Sequence, residues 1–260
     1  GLNENYKIQV TNSTDKDKSK KYINYLYKKL QRKGVLEAEC NKLVKTDRVT
    51  WGSCMVACGD ADGMVAGNTR HYAATVDKLM QSIGSRDDEI VFGLCVFVNR
   101  GRKIVIADTN VIEYPTSEEL ASIAKSSARV AKLLGLDPKI AFLSHSTFGQ
   151  PETDRTKRIS KAVEMLKDEK VDFLFDGEMQ PDVALNIKYK GTYSFSEIVG
   201  SANVLVMPSI HAAAISRKML KELSRGKVFG PLLIGLAQPI EVAPLRSSSS
   251  EILNLASIAA

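Results

Sequence analysis

The stretch GRKIVIADTNVIEYPTSEELASIAKSSARVAKLLGLDPKIAFLSHSTFG, residues 101–149, decides the fold. It opens on KIVIAD (103–108) and nears its end in KIAFL (139–143), two apolar runs of strand length. Between them Thr116-Ser-Glu-Glu119 has capping-box spacing after Pro115. Leu120, Ile123, Ala124, Ala128 and Ala131 then recur at helical intervals. Strand, helix and strand at these lengths imply a right-handed crossover between parallel strands. DFLFD (172–176), NVLVM (203–207) and PLLIG (231–235) continue the strand series. Ile159, Ala162, Val163 and Leu166 mark another helix, and Ile215, Met219, Leu220 and Leu223 a third. The expected fold is α/β, with a largely parallel sheet covered on both faces over about residues 90–236.

The first ninety residues read differently. They hold helical patterns near 18–32, 36–45 and 49–58, a short DGMVAG segment, and a helix near 70–83. This part belongs either to a second sheet whose other strands lie upstream or to a helical appendage. SEILNLASIA (250–259) forms a last helix, with Ser248 and Glu251 at capping-box spacing. Gly1 in place of Met implies a natural start further upstream.

Apolar residues make up 44% and charged residues 25%, the balance of a globular protein. No run approaches the roughly 18 apolar residues of a membrane helix, and the start has no signal-peptide pattern. Cys40, Cys54, Cys58 and Cys95 lack framework spacing and have no neighbouring His. They imply reduced thiols in a cytoplasmic setting and no metal site. The net charge of +6 is concentrated in DKDKSKKYINYLYKKLQRK (15–33). Without aromatic interleaving or a zinc motif it reads as a solvated helix face rather than a nucleic-acid surface.

In open parallel sheets ligands bind beyond the carboxyl ends of the strands. The loops there are Asp108-Thr109-Asn110, Ser144-His-Ser-Thr-Phe-Gly149, Asp176-Gly-Glu-Met-Gln180 and Pro208-Ser209. The second combines hydroxyls with a glycine near a helix start, which suits phosphate or carboxylate, although ordinary turn chemistry would use the same residues. Asp176 and Glu178 read either as an acid–base pair or, for Asp176, as a helix cap. The candidate ligand contacts are Asp108, Thr109, Ser144, Ser146, Thr147, Gly149, Asp176, Glu178, Gln180 and Asn203. Of three histidines, His145 falls in a functional loop, His71 reads as partly buried and structural, and His211 as exposed or capping. GxGxxG after a strand, GxxxxGK[ST], GxSxG and HExxH do not occur.

GDADGMVAG (59–67), IADTNVIEYPTSEELASIA (106–124), FLSHSTFG (142–149), DGEMQPDVAL (176–185), ANVLVMPSIHAA (202–213) and GPLLIGLAQPI (230–240) carry a resemblance. In this order they resemble the phosphate acetyl/butyryltransferase (phosphotransacetylase) family. RKGV, the GDADGMVAG form, IEYPT and LSHSTFG are similar to the C-terminal phosphotransacetylase-like domain of hybrid NADP-dependent malic enzymes. The resemblance implies an α/β/α sandwich of the isocitrate/isopropylmalate-dehydrogenase kind, in two subdomains with a cleft between them. These would be residues 1–87 with 236–260, and residues 88–235. The opening KIQVTNST would lie just after the domain's first strands.

The resemblance also implies acetyl-CoA or CoA as ligand, with acetyl phosphate, and a homo-oligomer. NADP and a divalent metal would belong to a malic enzyme module outside this chain. Active members carry Ile-Arg-Pro in the helix after the GxADGxVxG segment, where this chain has Val76-Asp77-Lys78. They also carry Asp-Leu-Ser-Arg-Gly before the last helix, and the ungapped frame puts Pro244 and Leu245 on its Ser and Arg. Neither can donate a side-chain hydrogen bond. The family acid is kept in kind as Glu251, and a one-residue shift would place Arg246 on the arginine. Three functions therefore stand: a regulatory, acetyl-CoA-binding and oligomerising domain without catalytic residues, an active phosphate acetyltransferase using Arg246 and Glu251, or a degenerate domain without ligand.

Overall fold

A computed structural model describes residues 9–87 and 89–260. Part of the KIQVTNST segment and the expected boundary at residue 88 lie outside the described residues. The chain begins with three helices, α1 (Lys16–Leu30), α2 (Glu37–Thr46) and α3 (Arg48–Ala57). Asp15 and Asp47 start α1 and α3 by accepting the Lys18 and Thr50 amides, as N-caps do. Tyr22, Leu26 and Leu30 fall on one face of α1 and pack with Cys40, Val44, Trp51 and Cys54. β1 (Met64–Gly67) and α4 (Tyr72–Ser82) follow.

The expected alternation then appears with one addition. β2 (Phe92–Asn99) and β3 (Arg102–Ala107) form a hairpin across Arg100 and Gly101, whose φ values are 49° and 79°. Both central residues are left-handed, as a two-residue hairpin turn matching strand twist requires. α5 (Ser117–Leu133) starts with the reciprocal Thr116–Glu119 capping box. β4 (Lys139–Leu143), α6 (Asp154–Glu169), β5 (Leu174–Met179), α7 (Pro181–Leu185), β6 (Val204–Val206) and α8 (Ile210–Leu223) complete the crossovers. β7 (Lys227–Ile234), β8 (Ile240–Ala243) and α9 (Ser249–Ala259) end the chain.

Six strands form one sheet in the order β5-β4-β6-β3-β2-β7. The first four run parallel, while β2 is antiparallel to both neighbours. Ile140 and Phe142 of β4 face α5 and α6, and Ala141 and Leu143 face the side of α7 and α8. This α/β sandwich is the expected fold, with a largely parallel sheet reversed at one strand. The ends of the chain meet in a second sheet, where β1 and β8 pair in parallel. Gly67, at the end of the GDADGMVAG motif, has φ +100°, and a Cβ there would run into the Ala243 carbonyl. The first ninety residues are thus no helical appendage.

Two expectations change in detail. β5 starts at Leu174 and runs through Met179, so Asp176 and Glu178 lie within a strand rather than after it. In α8, Ile215, Met219 and Leu223 are exposed, and Ala213 is the fully buried position. Their helical spacing is real, but that stripe does not face the sheet.

Candidate functional site

The strand-end loops come together, but mostly to satisfy one another. Asp108 is 2% exposed, and its carboxylate accepts the amides of Gly93 (2.6 Å), Asn110 (3.0 Å), Val111 (3.3 Å) and Ile112 (2.6 Å). Burial pushes its carboxyl above the usual range, and the amides pull it part of the way back. Thr109 is fully buried, with the Cys95 thiol 3.6 Å from its hydroxyl. Neither side chain presents a free polar edge to a ligand.

Glu178 organises the 144–149 loop from beneath. It is 1% exposed and accepts from Ser146 Oγ (3.2 Å), Gly149 N (2.7 Å) and Ser160 Oγ (2.5 Å). Ser144 and Ser146 bond each other at 2.9 Å, Thr147 accepts the Gln180 amide, and Gln180 reaches back to the His145 carbonyl. Glu178→Ala strands these donors and is expected to cost about 3 kcal/mol, read as a lowered denaturant midpoint. Glu178→Gln, which can still accept and can donate to Ser160, should cost less than half of that.

Three assignments are corrected. Asp176 caps no helix, because its oxygens accept the Gly177 and Glu197 amides while α7 begins after Gln180. Asn203 sits at the opposite end of the sheet, where its amide ties the Lys139 amide to the Asp137 carbonyl. His71 is the exposed residue preceding α4 rather than a partly buried helical one, and His211 is exposed on α8.

A cavity of about 520 Å³ opens between the two sheets. One wall is the Pro244–Ser248 loop with α9, and the other is α8 with the start of β7. Arg217, Lys221, Lys227 and Arg246 line it with a single acid, Glu251. Glu251 accepts the Ser248 amide (2.8 Å) and pairs with Lys221 at 3.1 Å, and in that order they hold its carboxyl below the usual range. An excess of cations in a concave site favours an anionic ligand. Ser248 Oγ accepts the Glu251 amide, completing the expected capping box, so the serine run is an ordered helix start. Gly230 on the far wall has φ +101°, and a Cβ there would meet Leu94 O at 2.8 Å.

Pro244, Leu245, Arg246 and Glu251 line this one cavity. Asp77 is exposed on α4 and is not among the residues lining this cavity. Arg217, Lys221 and Lys227 carry no sequence motif; only the packing of α8 and β7 against the lip gathers them.

Comparison with known proteins agrees with this fold. The family described as Phosphate acetyl/butaryl transferase matches residues 2–260. An NADP-dependent malic enzyme of Rhizobium meliloti (strain 1021) is 45% identical over 97% of this chain, which spans 33% of that relative's length. The chain thus covers about a third of the curated malic enzymes it matches. A phosphate acetyltransferase of Acetivibrio thermocellus is 30% identical over 97% of this chain and 79% of its own. The crystal structure of a phosphotransacetylase from Streptococcus pyogenes superposes with a TM-score of 0.85, at 29% identity, over 94% of this chain and 74% of that one. By sequence along nearly its whole length and by fold, this chain belongs to the phosphate acetyl/butaryl transferase family.

Proposed function

We propose that this chain is the phosphotransacetylase-like C-terminal domain of an NADP-dependent malic enzyme, that it binds acetyl-CoA in the lip cavity, and that it performs no acetyl transfer. It serves there as a regulatory and oligomerisation domain, biasing a separate module that converts malate to pyruvate and CO2. NADP and divalent-metal chemistry belongs to that module. The carrying observation is the backbone at Arg246, where φ is +63°. In the ungapped frame Arg246 stands on the glycine of the family's Asp-Leu-Ser-Arg-Gly, and the left-handed region is where glycine is favoured. In the shifted frame the glycine position falls on Ser247, which is not among the positive-φ residues. The ungapped frame leaves Pro244 and Leu245 at the Ser and Arg positions.

The cationic lining supports a polyphosphate-bearing ligand, since each charge-assisted contact to phosphate is about twice as strong as a neutral one. Calorimetry on the protein at its natural length should give a roughly micromolar Kd for acetyl-CoA. Arg217→Glu should weaken it at least about tenfold, because attraction becomes repulsion. No heat up to millimolar acetyl-CoA would sink the reading. The second reading, an active phosphate acetyltransferase, draws support from one observation: Arg246 and Glu251 line the same cavity.

A further inference from the structure

β4 and β6 are adjacent and parallel, yet the helices that follow them cover opposite faces of the sheet. Ile159, Ala162, Val163 and Leu166 of α6 join the core on one side. Ala212, Ala213 and Leu220 of α8 join the core on the other. Where neighbouring connections diverge in this way, the carboxyl ends of the strands leave a crevice between them. Here it is a cavity of about 350 Å³, a size that takes a small molecule, and its lining shares no residue with the lip cavity.

The chemistry of its wall is one-sided. Arg155 and Arg158 stand one helical turn apart on α6, and neither makes an ion pair among the described residues. Arg158 is half-buried; its Nη2 donates to the Pro208 carbonyl at 2.9 Å, while its Nε is buried with no partner. Burial, and next the Arg155 charge, pull it below the usual arginine range without neutralising it. Arg155 lies over the Tyr114 ring at 5.8 Å, which fixes its guanidinium at the rim. Glu119, whose charge reaches Arg158, spends its carboxylate on the Thr116 amide. Ser144 and His145 enter from the end of β4, and Ser209 from the start of the fourteen-residue α8.

We propose that this crevice is a second anion site, for a small phosphorylated ligand, separate from the lip cavity. Two like charges held together with no ion pair of their own among the described residues repel each other, and a bound anion turns that repulsion into two attractive contacts. Donors converge from three directions: α6, the end of β4 and the start of α8. Three directions match the tetrahedral oxygens of a phosphoryl group better than a planar carboxylate. Guanidinium forks and a helix start are the groups that hold phosphate elsewhere.

The test titrates pyrophosphate and inorganic phosphate into the protein at its natural length, followed by calorimetry. Wild type should show saturable, salt-sensitive pyrophosphate binding in this crevice. Arg155→Ala, a rim change that leaves the core untouched, should weaken it at least about tenfold. Arg158→Lys keeps the charge but loses the fork, and should weaken it by a similar factor with the melting temperature held within a few degrees. Lys227→Ala, in the lip cavity, should leave the Arg155- and Arg158-dependent part of this binding unchanged while weakening acetyl-CoA and any pyrophosphate held at the lip, so the two sites fail separately. Absence of saturation at about ten millimolar, binding indifferent to both arginines, or loss of the arginine-dependent part through Lys227→Ala would each overturn the proposal.

Discussion

Mixed with coenzyme A and acetyl phosphate, the protein is expected to make acetyl-CoA at least about 10⁴-fold more slowly than the Acetivibrio thermocellus phosphate acetyltransferase assayed beside it. The reaction drives a thiolate onto an acyl phosphate, so charge builds where donors must already stand. One such donor is worth roughly 10²–10³ in rate, and Pro244 and Leu245 supply none. Arg246 lines the same cavity, but from a backbone position one residue later and in the left-handed region. Turnover within tenfold of that relative, lost on Arg246→Ala, would show that Arg246 has taken over the role and would end the proposal of a silent domain.

The second large effect concerns stability. Glu241 lies in β8 at 5% exposure, and one oxygen accepts the Leu233 amide at 2.9 Å. Burial pushes its carboxyl up to about 8, against an ordinary 4.5. Between those two values the folded chain keeps a proton that the unfolded chain releases. Stability therefore falls as pH rises through that window and levels off above it. At full extent the loss is about 5 kcal/mol, since each pKa unit corresponds to about 1.4 kcal/mol. Glu241→Gln keeps the acceptor for Leu233 and removes the titration. Its denaturant midpoint should exceed that of wild type by an amount that grows from pH 5 to pH 9. Parallel pH profiles for the two proteins would refute the assignment.

Much of this architecture was legible in the chain because local signals agreed with tertiary ones. KIVIAD, KIAFL and the Thr116–Glu119 box each specify their element within a few residues, and the structure keeps them. β2 was not among the expected strands: the link to β3 is Arg100-Gly101 rather than the stronger Asn-Gly hairpin signal. β8 escaped because Glu241 interrupts its apolar pattern, although that carboxyl is buried.

The candidate site was legible in one half. The lip residues fall within the short stretch 244–251 that the resemblance marks, so Pro244, Leu245, Arg246 and Glu251 could be found in order. The opposite wall comes from α8 and β7, whose cations acquire meaning only once the sheets face each other. Glu178 and Asp108 look like ligand carboxylates in sequence because polar residues at strand ends have two uses. Here both are taken up by backbone amides and hydroxyls, which burial makes obligatory.

The Lys221–Glu251 pair links the two walls at the edge of the lip cavity, with the side chains about half exposed. An ion pair so wet contributes at most about 1 kcal/mol and fades as salt rises. It acts as a weak clasp rather than a lock. Parting it costs on the order of thermal energy, so the two walls can separate at this edge without either of them unfolding.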